Sequence, residues 1–333
     1  MAKGEHLKAL LKSLTEGDDD RLYSVALQMA ADEARAGHTR LARELRILIE
    51  GIRSKHSLVR PANPLVPLDQ PRGELSGVLS VAYPDTHIQD LILPPDLLAR
   101  LRLLILEQRQ QGILEAHDLR PRFRVLLVGP PGSGKTLTAR AIAGELKLPL
   151  FTILLDGLIT KFMGETAAKL RLVFDAIGRR RGVYLFDEFD AIGGQRALLN
   201  DVGEIRRVLN SFLYFLEEAL PTSVIVAATN HPDLLDPALF RRFDDVLEYG
   251  FPTPEQVLTA FESCLSRLSS TNVDWDVVLR ASEDLSLADV LKACEDAAKK
   301  ALLAGERPVG TEDLVESIVH RRTATLRGRP RRG

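Results

Sequence analysis

Apolar residues recur at helical spacing through the first 57 positions: Leu7, Leu10, Leu11 and Leu14, then Leu22, Val25, Ala26 and Met29, then Leu41, Leu45, Leu48 and Ile52. The breaks between them, EGDDD at 16–20 and AGH at 36–38, supply glycine and N-cap residues. This pattern predicts three short amphipathic helices forming a small antiparallel bundle over 1–57. A unit of that size is marginal alone and leans on a partner or on the rest of the chain. Periodicity is then lost over 58–84, LVRPANPLVPLDQPRGELSGVLSVAYP, whose five prolines read as a linker of limited stiffness.

From about residue 85 the texture alternates. Short apolar runs, VLLVG (125–129), LFTILL (150–155), VYLF (183–186), SVIVAA (223–228) and VLEYGF (246–251), are bounded by turn residues and separated by helical patterns. That predicts an α/β domain over 85–253, a parallel five-stranded sheet with helices on both faces. After Pro254 the strands stop. Helical patterns at 255–269, 274–281, 287–304 and 312–322 predict a C-terminal helical lid over 254–322, followed by a basic tail at 323–333. Ser286 with Asp289 fits a capping box, and Thr311 before Glu312 and Asp313 suits a helix start.

Composition adds limits. The chain has 333 residues, 45% hydrophobic and 27% charged, enough for a sizeable core spread over one to three domains. A net charge of −2 hides an asymmetry: residues 321–333 carry six arginines and no acid. Cys264 and Cys294 lack metal-ligand spacing, so reduced thiols in a cytosolic compartment are expected. The opening MAKGEHLKALLKSL has no cleavage site, and no run approaches the ~18 apolar residues of a membrane span. The expectation is a soluble, cytoplasmic protein with no membrane partner.

The candidate chemistry sits at strand ends. GPPGSGKT at 129–136 follows a predicted strand and opens a predicted helix, the context that makes a phosphate loop. Gly129, Pro130, Pro131, Gly132, Ser133, Gly134, Lys135, Thr136 and Leu137 form the predicted nucleotide contact. Backbone N–H groups would wrap the phosphates, Lys135 would reach the β- and γ-phosphates, and the Thr136 hydroxyl would ligate Mg²⁺. VYLFDEFD at 183–190 buries four apolar residues and then releases Asp187, a Mg²⁺ partner, and Glu188, placed to polarise an attacking water. VAATN at 226–230 ends on Asn230, which can contact the γ-phosphate or orient that water.

GPPGSGKT, LFDEFDAI, AATN and DPALFRRFD, in this order and spacing, resemble the AAA branch of the AAA+ ATPases, over about 85–305. The resemblance implies a P-loop NTPase sheet with a helical lid, ATP and Mg²⁺ as ligands, and Asn230 as the sensor-1 residue. Arg241 and Arg242 fall where the family places arginine fingers, which reach a neighbouring subunit's ATP site. A homo-oligomeric ring, usually of six, follows from that. Two departures stand out. The chain reads Arg241-Arg242-Phe243-Asp244 where many members have Arg-Pro-Gly-Arg-Phe-Asp, which leaves the principal finger open between the two arginines. It also reads SLAD at 286–289 for Ser-Gly-Ala-Asp, which predicts no charged lid sensor.

By the same resemblance, Lys161, Phe162, Met163 and Gly164, with Glu165, match the pore loop of protein-threading members. A ring and a thioether can grip polypeptide without demanding a sequence, and the glycine lets the loop turn. A second loop, 193–207, takes the next pore-facing position. The leading expectation is a ring-forming ATPase that unfolds, threads or remodels protein, with substrate or adaptor docking at 1–57 and a separately encoded peptidase as a conceivable partner. The alternative is a nucleic-acid remodeller or loader using LRGRPRR at 326–332, disfavoured because that tail has no interleaved aromatics. A nucleotide-gated scaffold ranks last, since Lys135, Asp187, Glu188 and the arginines are all present.

Overall fold

Six strands build the sheet: β1 (Leu79–Ala82), β2 (Arg124–Val128), β3 (Leu150–Ile153), β4 (Val183–Phe186), β5 (Val224–Thr229) and β6 (Asp245–Glu248), in spatial order β1-β3-β4-β5-β2-β6. In this computed structural model the described residues are 73–159, 163–193, 202–266, 273–305 and 308–328, all within the unit Asp69–Gly333. The bundle predicted over 1–57, the linker up to 72, Lys161, Phe162, most of the second loop and the end of the tail lie outside them.

The five strands expected from the sequence run parallel, in the α/β arrangement predicted. The sixth is a correction. Residues 79–82 fall in the stretch read as linker, yet they pair antiparallel with β3, Leu79 opposite Ile153 and Ala82 opposite Leu150. Four residues, only one of them buried, give too short an alternation to stand out beside five prolines.

Strand alternation explains the two apolar layers. On β2, Val125 and Leu127 enter one layer while Leu126 and Val128 enter the other. The first layer is covered by α1 (Pro95–Arg109) through Leu97, Leu101, Leu104 and Ile105, and by α3 (Lys135–Leu146) through Ala139, Ile142 and Ala143. The second is covered by α5 (Met163–Arg179) and α7 (Val202–Glu218), which bring Leu170, Val173, Phe174, Leu209 and Phe212 onto the sheet. Phe174, Phe186, Phe189 and Phe212 form a ring cluster there, with Phe186 and Phe212 edge-on at 5.2 Å. Such pairs add about 0.5–1.5 kcal/mol each beyond burial.

Close packing on the α1–α3 side makes one glycine indispensable. A Cβ on Gly144 would sit 2.1 Å from the Thr86 carbonyl oxygen, a backbone atom that cannot swing aside. Alanine would gain about 1 kcal/mol of helix propensity and incur about 1–3 kcal/mol of overlap. Gly144→Ala is expected to destabilise the fold by a net of up to ~2 kcal/mol, read as a lower urea midpoint; a raised midpoint would contradict this packing.

The helical segment after β6 has its own core. The helices are α9 (Pro254–Leu265), α10 (Trp275–Ala281), α11 (Leu287–Leu303) and α12 (Thr311–Gly328). Phe261, Val290, Ala293, Ala297, Leu314 and Ile318 meet in it. Two predicted starts differ in detail. The Ser286 side chain accepts from Asp289 N, but the Asp289 carboxylate accepts from the Ser286 hydroxyl at 2.7 Å instead of completing the reciprocal box. Aspartate is one methylene shorter than the glutamate that usually reaches back. At α12, Asp313 accepts from Gly310 N, while Thr311 Oγ1 accepts from Asp274 N and ties α12 to α10.

Candidate active site

Strand order brings the motifs together. β5 lies between β2 and β4, with Val128 opposite Thr229 and Phe186 opposite Ala227. The loop after β2, the acids after β4 and Asn230 after β5 therefore leave the sheet at one edge, the carboxyl ends where such folds hold ligands. A cleft of about 400 Å³ opens there, bordered by Gly132, Lys135, Thr136, Asp187, Glu188 and Asn230, among others.

Lys135 is 6% exposed at the start of α3, and its ammonium donates to Gly129 O and Pro130 O, both at 2.8 Å. Burial lowers its pKa from the ordinary lysine value, while Asp187 and Asp190 pull the other way. The Thr136 hydroxyl donates to Asp187 Oδ2 at 2.8 Å, and the other Asp187 oxygen accepts from Glu188 N at 3.0 Å. Hydroxyl and carboxylate are hard oxygen donors that suit Mg²⁺. Among the described residues there is no group of three or more His, Cys, Asp or Glu that could hold a metal ion.

Glu188 adopts φ 51°, a left-handed conformation that a non-glycine residue holds at some cost. Neighbouring bonds fix it: Phe189 N donates to Ala228 O at 2.8 Å, and the Phe189 ring is buried. Such strain persists only where the surrounding packing over-determines it, and it clusters at active sites, which makes Glu188 a candidate functional residue.

The helical segment closes one side. Ala288 N donates to Gly132 O at 3.1 Å, and a Cβ on Gly132, whose φ is +76°, would lie 2.5 Å from Ser286 Oγ. Only glycine allows this approach. The lid residues bordering the cleft, Leu287, Ala288 and Leu291, are all uncharged.

Sequence reasoning missed two features. Asp190 accepts from the Thr229 hydroxyl at 2.8 Å and ties the ends of β4 and β5 together; the third acid of LFDEFD was the available signal. Beside the phosphate loop, a small apolar recess is lined by Ile92, Leu93, Pro130, Phe251 and Leu287, of which only Pro130 and Leu287 fall in motifs the sequence marked.

The arginine pair lies elsewhere. Neither Arg241 nor Arg242 borders the cleft. Arg242 pairs with Glu217 of α7, and Arg241 is exposed with no ion pair among the described residues. Their segment is anchored by Phe243, edge-on to Phe189 at 6.4 Å. Asp244 adds to this by accepting from Phe123 N at 3.0 Å and Arg124 N at 2.9 Å. Met163 and Gly164 open α5, directly after Lys161 and Phe162.

A phosphate loop between a parallel strand and a helix, acids on the adjacent strand end and a helical lid define a P-loop nucleotide-binding protein. Comparison with known proteins specifies it further. The family model described as "ATPase family associated with various cellular activities (AAA)" matches residues 125–251. "Uncharacterized AAA family ATPase y4kL" of Sinorhizobium fredii is 33% identical over 96% of this chain and 95% of its own. The chain belongs to the AAA family of ATPases. Proteasome-activating nucleotidases of Sulfurisphaera tokodaii and Saccharolobus solfataricus are 32% and 36% identical, over 72% and 60% of this chain. The alignments span 63% and 52% of those proteins. The crystal structure of a FIGL-1 AAA domain superposes with a TM-score of 0.60, covering 80% of this chain and 97% of that one at 23% identity, a likeness of fold. Among the described residues, no helix is long and apolar enough to cross a membrane.

Proposed function

We propose that this ATPase works as a ring of six copies that uses ATP hydrolysis to unfold or remodel protein by threading it past Phe162. The observation that carries the ring is the surface position of Arg241, away from the chain's own cleft and anchored through Phe243 and Asp244. An arginine so placed suits a neighbour's phosphates better than its own. Likeness to proteasome-activating nucleotidases supports protein as the substrate class, and the resemblance of Lys161-Phe162-Met163-Gly164 to the family's pore loop supports gripping, although Met163 and Gly164 belong to the first turn of α5 and not to a loop.

In this reading Lys135 and the loop N–H groups bind the phosphates, and Thr136 and Asp187 hold Mg²⁺. Mg²⁺ held there would neutralise phosphate charge during the transfer. Glu188 accepts the proton of the attacking water, Asn230 orients that water, and the apolar recess beside Pro130 receives the base. Arg241 from the next copy stabilises the transferring phosphoryl group.

The test is ATP hydrolysis by parent and Phe162→Ala proteins with unfolded polypeptide or single-stranded DNA added. Polypeptide is expected to stimulate the parent severalfold, and Phe162→Ala to lose that response while keeping basal turnover. Stimulation by DNA alone would overturn threading in favour of the arginine tail.

A further inference from the structure

The chain's two cysteines take no part in the nucleotide chemistry, and the fold places both on one apolar core, Cys294 within it and Cys264 packed against it. Cys264 lies near the end of α9 and Cys294 midway along α11, two helices packed against each other. Cys264 packs against the apolar cluster that contains Cys294, Val257, Ala260, Phe261 and Ala297. We propose that Cys264 and Cys294 form a reversible disulfide that staples α9 to α11 within the lid.

The two sulfurs differ in access. Cys264 is partly exposed, whereas Cys294 is fully buried. Burial foremost, and then hydrogen bonding with Cys264, raises the Cys294 thiol above its ordinary range. A buried, protonated thiol is a poor first nucleophile, so the exchange starts at Cys264. With a low-molecular-weight disulfide as oxidant, the Cys264 thiolate attacks one sulfur. The disulfide bond breaks, and one small thiol leaves with the electron pair and takes up a proton. Cys294, on losing its proton, attacks the Cys264 sulfur of the mixed disulfide and expels the second small thiol. The protein loses two electrons and two protons, and the oxidant gains them.

The staple joins α11, which begins beside the nucleotide cleft, to α9, which begins beside the apolar recess. α11 opens with Ser286–Ala288 against Gly132, and Gln256 in the first turn of α9 lines the apolar recess together with Pro252. Fixing one helix to the other restricts how the lid can shift between nucleotide states, so oxidation slows turnover.

The full-length protein is incubated with oxidised glutathione, denatured, alkylated and weighed. The parent is expected to lose two hydrogens and resist alkylation, with reversal by dithiothreitol. Cys294→Ala should stop as a single glutathione adduct, and Cys264→Ser should not react. ATP turnover of the oxidised parent should fall at least threefold and recover on reduction, with Cys264→Ser insensitive to the oxidant. Two alkylatable thiols in the treated parent, an adduct that never resolves, or a bond between copies on a non-reducing gel would each overturn the staple. A disulfide seen by mass with unchanged turnover would overturn its control of the site. The mass readout does not depend on hydrolysis, and the parent with Cys264→Ser suffices should Cys294→Ala fold poorly.

Discussion

Glu188→Gln is expected to keep ATP bound while turnover falls at least about a hundredfold, the lower range for losing a positioned general base. Glutamine keeps the shape of the side chain and cannot take the proton. The left-handed backbone at this residue, with φ 51°, is fixed by its neighbours and does not depend on the carboxylate. The substitution should therefore leave the fold, the Thr136–Asp187 bond and nucleotide affinity intact. Single-turnover hydrolysis beside equilibrium binding of a fluorescent ATP analogue separates the two effects. Hydrolysis at the parent rate would remove the base role, and loss of binding would make Glu188 a structural residue instead.

Arg241→Ala should cost about as much, with a loss of order 10³ in turnover for a residue supplied in trans to a phosphoryl group. Nucleotide binding by the isolated chain should persist, because the arginine does not border its own cleft. Arg242→Ala is expected to be milder, since that guanidinium already has Glu217 as a partner on its own chain. The pair is partly exposed and so weak, worth no more than about 1 kcal/mol, which means it biases Arg242 without locking it. Mixing Arg241→Ala with Glu188→Gln protein should restore hydrolysis, because an intact arginine then faces an intact base at some of the interfaces. Parent-like rates in both arginine variants, or no recovery on mixing, would remove the trans arrangement and with it the argument for a ring.

Much of the site was readable in one dimension because its chemistry is local. A phosphate loop needs successive N–H groups, a lysine and a hydroxyl within eight residues, so 129–136 carries its whole signature in contiguous sequence. The acids behave the same way: VYLF buries itself and the next residue must emerge at the strand end. Strand β1 was lost because its place is set by partner β3, some 70 residues on, and its own four residues alternate too briefly.

By itself, then, the sequence determined the repeating strand and helix pattern, the phosphate loop, the acids and the arginine pair, all properties of neighbouring residues. Only the tertiary structure decided that β5 lies between β2 and β4, which makes Lys135, Glu188 and Asn230 one site. It alone seated Ser286 and Ala288 on Gly132, separated Arg241 from its own cleft, and put Cys264 and Cys294 on the same apolar cluster. These are contacts between segments 30 to 150 residues apart, fixed by packing of apolar faces whose sequence pattern records that they are buried and not against what.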